Sequence, residues 1–211
     1  FRMWQNPATI EAVDKLRERK MQVLPPDDGL LASLHKGEGR LPDIYKIMNG
    51  IRNLFKIELP LKDKKVLITA GPTREAIDPV RYISNRSSGK MGYALAKQAR
   101  NMGAEVTLIS GPVGMKPVPN VKFISIESNL DMKKEVNSIS EKMDYIFMAA
   151  AVADYAPKSI SDKKLKRNNK PFTLDLYPCS DIIKSTAKNS KSISIAFALE
   201  THNGEKEAMR K

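Results

Sequence analysis

From Lys65 onward, short apolar stretches alternate with segments of helical period, and this alternation constrains the fold more than any other feature. VLITAG (66–71), EVTLIS (105–110), VKFISI (121–126) and YIFMAAAV (145–152) read as strands, the last apolar throughout, as befits a central parallel strand. Between them, a helix is expected from about Ser88 to Met102, with Met91, Leu95, Ala99 and Met102 on one face and Gly103 at its C-cap. A second is expected after Ser128, with Leu130, Val136, Ile139 and Met143 inward and Asp131 at the favourable third position. TLDLY (173–177), a helix from about Asp181 to Ala187 and SISIAFALE (192–200) continue the series. Strand–helix alternation of this kind predicts an α/β, Rossmann-like three-layer domain with a mostly parallel sheet and ligands at the carboxyl ends of its strands.

The residues before this pattern are of another kind. They read as a helix (about 8–19), a loop broken by PPDDG and the glycines of HKGEGR, and a second helix (about 42–55) with Ile44, Met48, Ile51 and Leu54 in register. That is too little apolar surface for an independent core. The expected organisation is therefore a partial domain at 1–58, a linker at 59–65 and the α/β domain at 66–211.

Several function classes lose ground early. One cysteine, Cys179, allows no disulfide within the 211 residues, and the two histidines, His35 and His202, lie far apart. The longest apolar run, IFMAAAVA (146–153), cannot span a bilayer, and no leader opens the visible chain, so a cytoplasmic setting is expected with no membrane partner. A net charge of +12 favours anionic ligands. No basic stripe interleaved with aromatics suggests nucleic acid, although a basic binding module remains an alternative. The densest patch, KSISDKKLKRNNK (158–170), carries six basic residues and one acid. It suits a small polyphosphate or, equally, a solvated loop.

RYISNRSSGKMG (81–92) is the stretch most open to several chemistries. A P-loop fails, because Ser84 stands where the first glycine belongs and Met91 follows Gly89-Lys90. A dinucleotide fingerprint fails, because Gly71 is followed by Pro72-Thr73 and a loop reaching about Asn85. The second strand also ends in Ser110-Gly111, without a ribose-binding carboxylate. A pyridine-nucleotide reductase is thus the weaker enzymatic alternative. Ser87, Ser88 and Gly89 remain as a helix amino end, fit for plain capping or for an anion.

The residues themselves go further than their spacing. ITAGPTREAIDPVRYISNRSSGKMGYALA (68–96), AAAVADYAP (149–157) with KLKR (164–167), and IAFALET (195–201) closely resemble the phosphopantothenate–cysteine ligase family of coenzyme A biosynthesis. RMWQNPAT (2–9), DDGLLAS (27–33) and GEGR (37–40) resemble the end of the flavoprotein decarboxylase usually fused ahead of that ligase. The resemblance implies a decarboxylase tail followed by most of a ligase domain. FMN would belong to the missing part of the former. Ser33 stands where that family has a reactive cysteine and Leu34 where it has glycine, so decarboxylase activity is not expected.

For the ligase part, the resemblance implies CTP as co-substrate with Mg2+, and 4′-phosphopantothenate and cysteine as the other small molecules. Asn85 would orient the acyl intermediate and Lys164 stabilise the α-phosphate, while Arg81, Ala150 and Ala151 meet the acyl substrate. Ser87, Ser88, Gly89, Asp154 (through Mg2+), Phe197 and Lys211 would contact the nucleotide. So would the turn Cys179-Ser180-Asp181-Ile182, which departs from the family's Asn-Pro-Asp-Ile and loosens the expectation of strictness for CTP. A homodimer through the ligase domain is implied, and a higher oligomer with a complete decarboxylase domain.

Overall fold

The computed structural model describes residues 2–55, 58–167, 169, 171–189 and 191–199. The chain forms two compact units, Phe1–Leu59 and Pro60–Lys211. Among the described residues no helix is long and apolar enough to cross a membrane.

The first unit holds α1 (Pro7–Glu18), β1 (Asp27–Leu30), β2 (Lys36–Arg40) and α2 (Ile44–Leu54). Asn6 caps α1 by accepting from Ala8 N at 3.0 Å, with Pro7 pre-set for the first helical position. Asp43 caps α2 through Tyr45 N at 2.8 Å. The antiparallel β1–β2 hairpin lies where only a loop was expected. Ile44, Met48, Ile51 and Leu54 do share a face of α2, yet all four are exposed. Gly50 is the one fully buried position among the described residues of this unit, seated against Leu24.

In the second unit the elements run β3 (Lys65–Ala70), β4 (Arg74–Ala76), β5 (Tyr82–Ser84), α3 (Lys90–Asn101), β6 (Glu105–Ser110), β7 (Lys122–Ser125), α4 (Asn129–Ile139), β8 (Tyr145–Met148), β9 (Tyr155–Pro157), β10 (Leu176–Pro178), α5 (Ile182–Asn189) and β11 (Ile193–Ala196). Five strands form a parallel sheet in the order β11-β8-β3-β6-β7. The expected Rossmann-like architecture is therefore present. The chain builds outward from β3 through β6 to β7, then returns to β8 on the other side. That reversal makes the carboxyl ends of β3 and β8 the crevice of the sheet.

Side-chain alternation along β3 splits the core into two layers. Val66, Ile68 and Ala70 pack with Tyr93, Ala96 and Ala99 of α3, while Leu67 packs with Met132, Val136, Ile146 and Ile182 on the α4 and α5 side. Ser128 and Asp131 form the expected capping box at α4, and Gly103, at φ 95°, follows the C-cap of α3.

Three local expectations need correction. The buried face of α3 is Gly92, Tyr93, Ala96, Ala99 and Arg100, while Met91 is exposed. Gly92 is the reason, because a Cβ there would meet Ala70 Cβ at 2.5 Å and Thr69 O at 2.9 Å. The helix therefore turns its smallest side to the sheet and seats backbone against backbone. In α4, Leu130 points to solvent, and Asn129 and Met132 turn inward instead. TLDLY does not join the main sheet; residues 176–178 pair antiparallel with β9.

Gly92→Ala should lower stability by about 1–3 kcal/mol through overpacking, seen as a lower urea midpoint with an unchanged slope. An unchanged midpoint would mean that α3 does not rest this closely on β3.

Candidate functional site

Three glycines meet where β3 and β6 end and α3 begins. Gly71 and Gly89 hold left-handed backbone, φ 72° and 73°. A Cβ on Gly89 would lie 3.4 Å from Gly71 N, and one on Gly111 only 1.7 Å from Pro72 O. With Gly92 on the sheet, Gly71, Gly89 and Gly92 take up the turn, the close approach and the helix packing that a contiguous glycine fingerprint provides. The β4–β5 hairpin, residues 74–84, is inserted between the first and the other two.

Gly89 caps α3 with no side chain of its own, and Ser88 Oγ accepts from Lys90 N, the first helix amide, at a long 3.5 Å. Ser87 Oγ accepts from Gly89 N at 3.3 Å within the loop. Beside this amino end lies an open cavity of about 660 Å3 lined by Arg74, Ser87, Ser88, Lys90, Val113 and Gly114. Arg74 stands 4.6 Å over the Tyr82 ring and 3.5 Å from Glu127, which orients its guanidinium. Two cations, two hydroxyls and a helix amino end make this cavity suited to an anion. A larger apolar cavity, about 810 Å3, lies in the first unit and includes Ser33 in its wall.

Past β8 the chain leaves the sheet along Ala149–Asp154, pinned from beneath by buried hydroxyls. Ala150 N donates to Thr69 Oγ1 at 3.2 Å, Ala151 N to Gly71 O at 2.8 Å, and Ala153 N to Thr73 Oγ1 at 2.9 Å. Asn85 reaches over from the hairpin, its amide donating to Val152 O at 2.9 Å and Ala151 O at 3.4 Å. Asn85, Ala150 and Ala151 are therefore brought together. Both contacts run from the one Asn85 nitrogen, so its side chain is tied to the loop backbone.

Arg81 is committed to an ion pair, 2.9 Å from Asp78 Oδ2, and also donates to the carbonyl of Leu165. Asp78 is buried and accepts from Val80 N and Arg81 N at 2.8 Å each and from Leu165 N at 3.1 Å. Burial pushes its carboxyl up, but these three N–H groups and the Arg81 guanidinium outweigh it and hold the carboxyl below its ordinary value. Lys164, Lys166 and Arg167 flank the anchored Leu165 and are exposed.

A second buried network holds residues 179–181. Glu75 Oε1 accepts from Asn129 N at 2.8 Å, and Asn129 Nδ2 donates to Ala153 O at 3.2 Å and Ser180 O at 3.4 Å. Cys179 N donates to Asp154 O at 2.7 Å. Burial, then the negative charges of Glu75 and Asp154, push the Cys179 thiol up, so it stays protonated and poorly nucleophilic. Asp181 Oδ1 accepts from Lys184 N at 2.9 Å and starts α5. Ile182 lies in the core, which leaves only its backbone for a ligand. Phe197, just past β11, is half exposed, and Lys211 lies outside the described residues. Asp154 is exposed, and no group of three His, Cys, Asp or Glu residues clusters for a metal among the described residues. A single carboxylate suits only an ion whose other ligands come from phosphate and water.

The model of the DNA/pantothenate metabolism flavoprotein (DFP) C-terminal domain matches residues 61–211. The chain belongs to the DFP family. It is 41% identical to the coenzyme A biosynthesis bifunctional protein CoaBC of Bacillus subtilis, over 99% of this chain and 52% of that protein. It is 40% identical to a cysteine/cysteine sulfinic acid decarboxylase from an unknown prokaryotic organism, over 94% of this chain and 57% of that one. The chain spans about half the length of the curated relatives it matches. Among solved structures, the C-terminal domain of a CoaBC protein superposes with a TM-score of 0.63 at 43% identity, covering 72% of each chain.

For this DFP domain, sequence does not single out Thr69, Thr73, Glu75, Asp78 and Asn129, although they hold Ala150, Ala153, Ser180, Arg81 and Leu165 in place. The readable signal was weak: hydroxyls at the end of an otherwise apolar strand, and an Asp-Pro turn.

Thr73→Val should strand the buried Ala153 N–H and cost about 1–3 kcal/mol, whereas Thr73→Ser should cost less. Equal denaturation midpoints for the two variants would show that this hydroxyl does not hold the loop.

Proposed function

We propose that residues 60–211 are the CTP-dependent ligase of a coenzyme A biosynthesis enzyme, joining 4′-phosphopantothenate to cysteine. One observation carries the reading: Asn85 sits over the Ala151–Val152 backbone at the switch point of the sheet, on a chain stretch that leads from the anchor of a basic segment at Asp78 to the cationic amino end of α3. A reaction that brings a carboxylate to a triphosphate needs this combination of a neutral positioning group and two sources of positive charge. The relation to CoaBC proteins supports the pathway. Ser110, buried and donating to Gly111 O at 2.8 Å, makes a ribose-binding role at that strand end unattractive and weighs against a pyridine-nucleotide reductase.

In the first step, a carboxylate oxygen of 4′-phosphopantothenate attacks the α-phosphorus of CTP and pyrophosphate leaves, giving an acyl cytidylate. In the second, the cysteine amine attacks the acyl carbon, CMP leaves and the amine loses its proton. Arg81, Ala150 and Ala151 hold the acyl substrate, and Asn85 orients its carbonyl. The cavity at Ser87–Gly89 takes phosphate oxygens, and Lys164 neutralises the α-phosphate. Mg2+ bound with the nucleotide beside Asp154 would supply further charge neutralisation. The Cys179–Ile182 turn and Phe197 complete the nucleotide site as far as the described residues go, and Lys211 is assigned to the nucleotide by resemblance alone. Because Cys179-Ser180 is tied by backbone bonds rather than stiffened by proline, other pyrimidine triphosphates are accepted more readily. FMN, which the flavoprotein name of the family implies, is assigned no contact in residues 60–211. Residues 1–59 form the tail of a flavoprotein decarboxylase-like domain, inactive as such with Ser33. The working state is a homodimer.

Asn85→Asp should form the acyl cytidylate and pass it to cysteine at least about tenfold more slowly, while Lys164→Gln should impair its formation. Mass spectrometry of the mixture before cysteine is added reads formation, and its time course after cysteine is added reads transfer. Intermediate accumulating with Lys164→Gln and absent with Asn85→Asp would reverse the two roles.

A further inference from the structure

The segment bearing Lys164, Lys166 and Arg167 has neither helix nor strand to hold it, and neighbouring like charges push it outward. Its described attachment to the rest of the domain falls on the β4–β5 turn. Ser161 N donates to Ile77 O at 3.0 Å. Leu165 N donates to Asp78 Oδ2, Leu165 O accepts from Arg81, and the Asp78–Arg81 pair closes the ring. Asp78 Oδ1 is held in turn by Val80 N and Arg81 N. Its carboxylate cannot swing away without opening the turn.

Deepening the ligase reading, on which it rests, we infer that Asp78 is a positioning residue that latches Leu165 and so places Lys164 over the same hairpin that carries Arg81 and Asn85. The physical case is one of distance. The attraction of an ammonium for a phosphate falls with separation, and a displacement of about 1 Å can cost on the order of a hundredfold in rate. A free basic loop would spend much of its time elsewhere. With the latch, Arg81 serves both the loop and the substrate side, because its side chain stays half exposed.

Asp78→Asn separates the latch from the turn. Its amide oxygen can replace Oδ1 for Val80 and Arg81, while its NH2 then faces the Leu165 N–H and the guanidinium, donor against donor. The expected result is tryptic cleavage within Lys163–Arg167 faster by about tenfold, measured well below the thermal midpoint of either protein. Pyrophosphate release should fall about 10–100-fold in kcat, and in a Lys164→Gln background Asp78→Asn should cause no further loss. Equal falls in both backgrounds would show a merely structural role, and unchanged cleavage would show that no latch exists; either overturns the inference. Leu165→Pro, which removes the donated N–H and leaves the Asp78 turn intact, should speed cleavage after Lys163 and Lys166 to the same degree; unchanged cleavage there overturns the latch as well. A wild-type chain that releases no pyrophosphate from CTP would overturn the ligase reading, while the tryptic comparison still decides the latch.

Discussion

Everything at the crevice depends on how closely backbone approaches backbone at the end of β3. Gly111 leaves no room for a Cβ beside Pro72, Gly89 crosses Gly71, and Gly92 lays α3 on Ala70. These contacts fix where the α3 amino end lies relative to the β8 loop, and the intervening hairpin is carried out over the crevice between them. A contiguous glycine turn would bring the helix to the same place and leave no hairpin. The insertion is thus what distinguishes this site from an ordinary dinucleotide fold, because Arg81 and Asn85 both ride on it.

The hairpin is short, with three-residue strands, and such a ribbon is marginal alone. Its order comes from buried polar groups: Thr73 just ahead of it, Glu75 in β4, Asp78 in its turn, and Ser84 Oγ donating to Thr73 O at 2.8 Å. Buried polar groups of this kind are costly unless satisfied and rigidifying when they are. Here they join the hairpin to the β8 loop, to the 179–181 turn and to the basic segment. The hairpin is thereby registered by hydrogen bonds against three segments that follow it much later in the chain.

This division explains what was legible beforehand. The parallel strands 65–70 and 105–110, the capping box Ser128–Asp131 and the C-terminal glycine of α3 follow from local rules of burial, period and capping, and the structure has them. The face of α3 was misjudged because period alone weighs Met91 and Leu95 above a glycine, whereas close packing favours Gly92. Leu130 was misplaced because the first turn of α4 answers to the carbonyls of Ala153 and Ser180, which reward Asn129 for turning in. The support residues were invisible for the same reason. A buried Asp78 or Glu75 has meaning only through partners such as Leu165 and Asn129, and no local pattern pairs them. Asn85 and Arg81, by contrast, could be singled out from the motif they occupy, and the structure adds what each is tied to.

The central claim is that the crevice between β3 and β8 takes a nucleoside triphosphate. Isothermal titration with CTP and Mg2+ tests it most directly, with cytidine and NADPH as comparisons. Saturable one-to-one binding of CTP, absent for cytidine and undisturbed by NADPH, is the predicted result. No heat from CTP, or binding of NADPH that displaces it, would contradict the account.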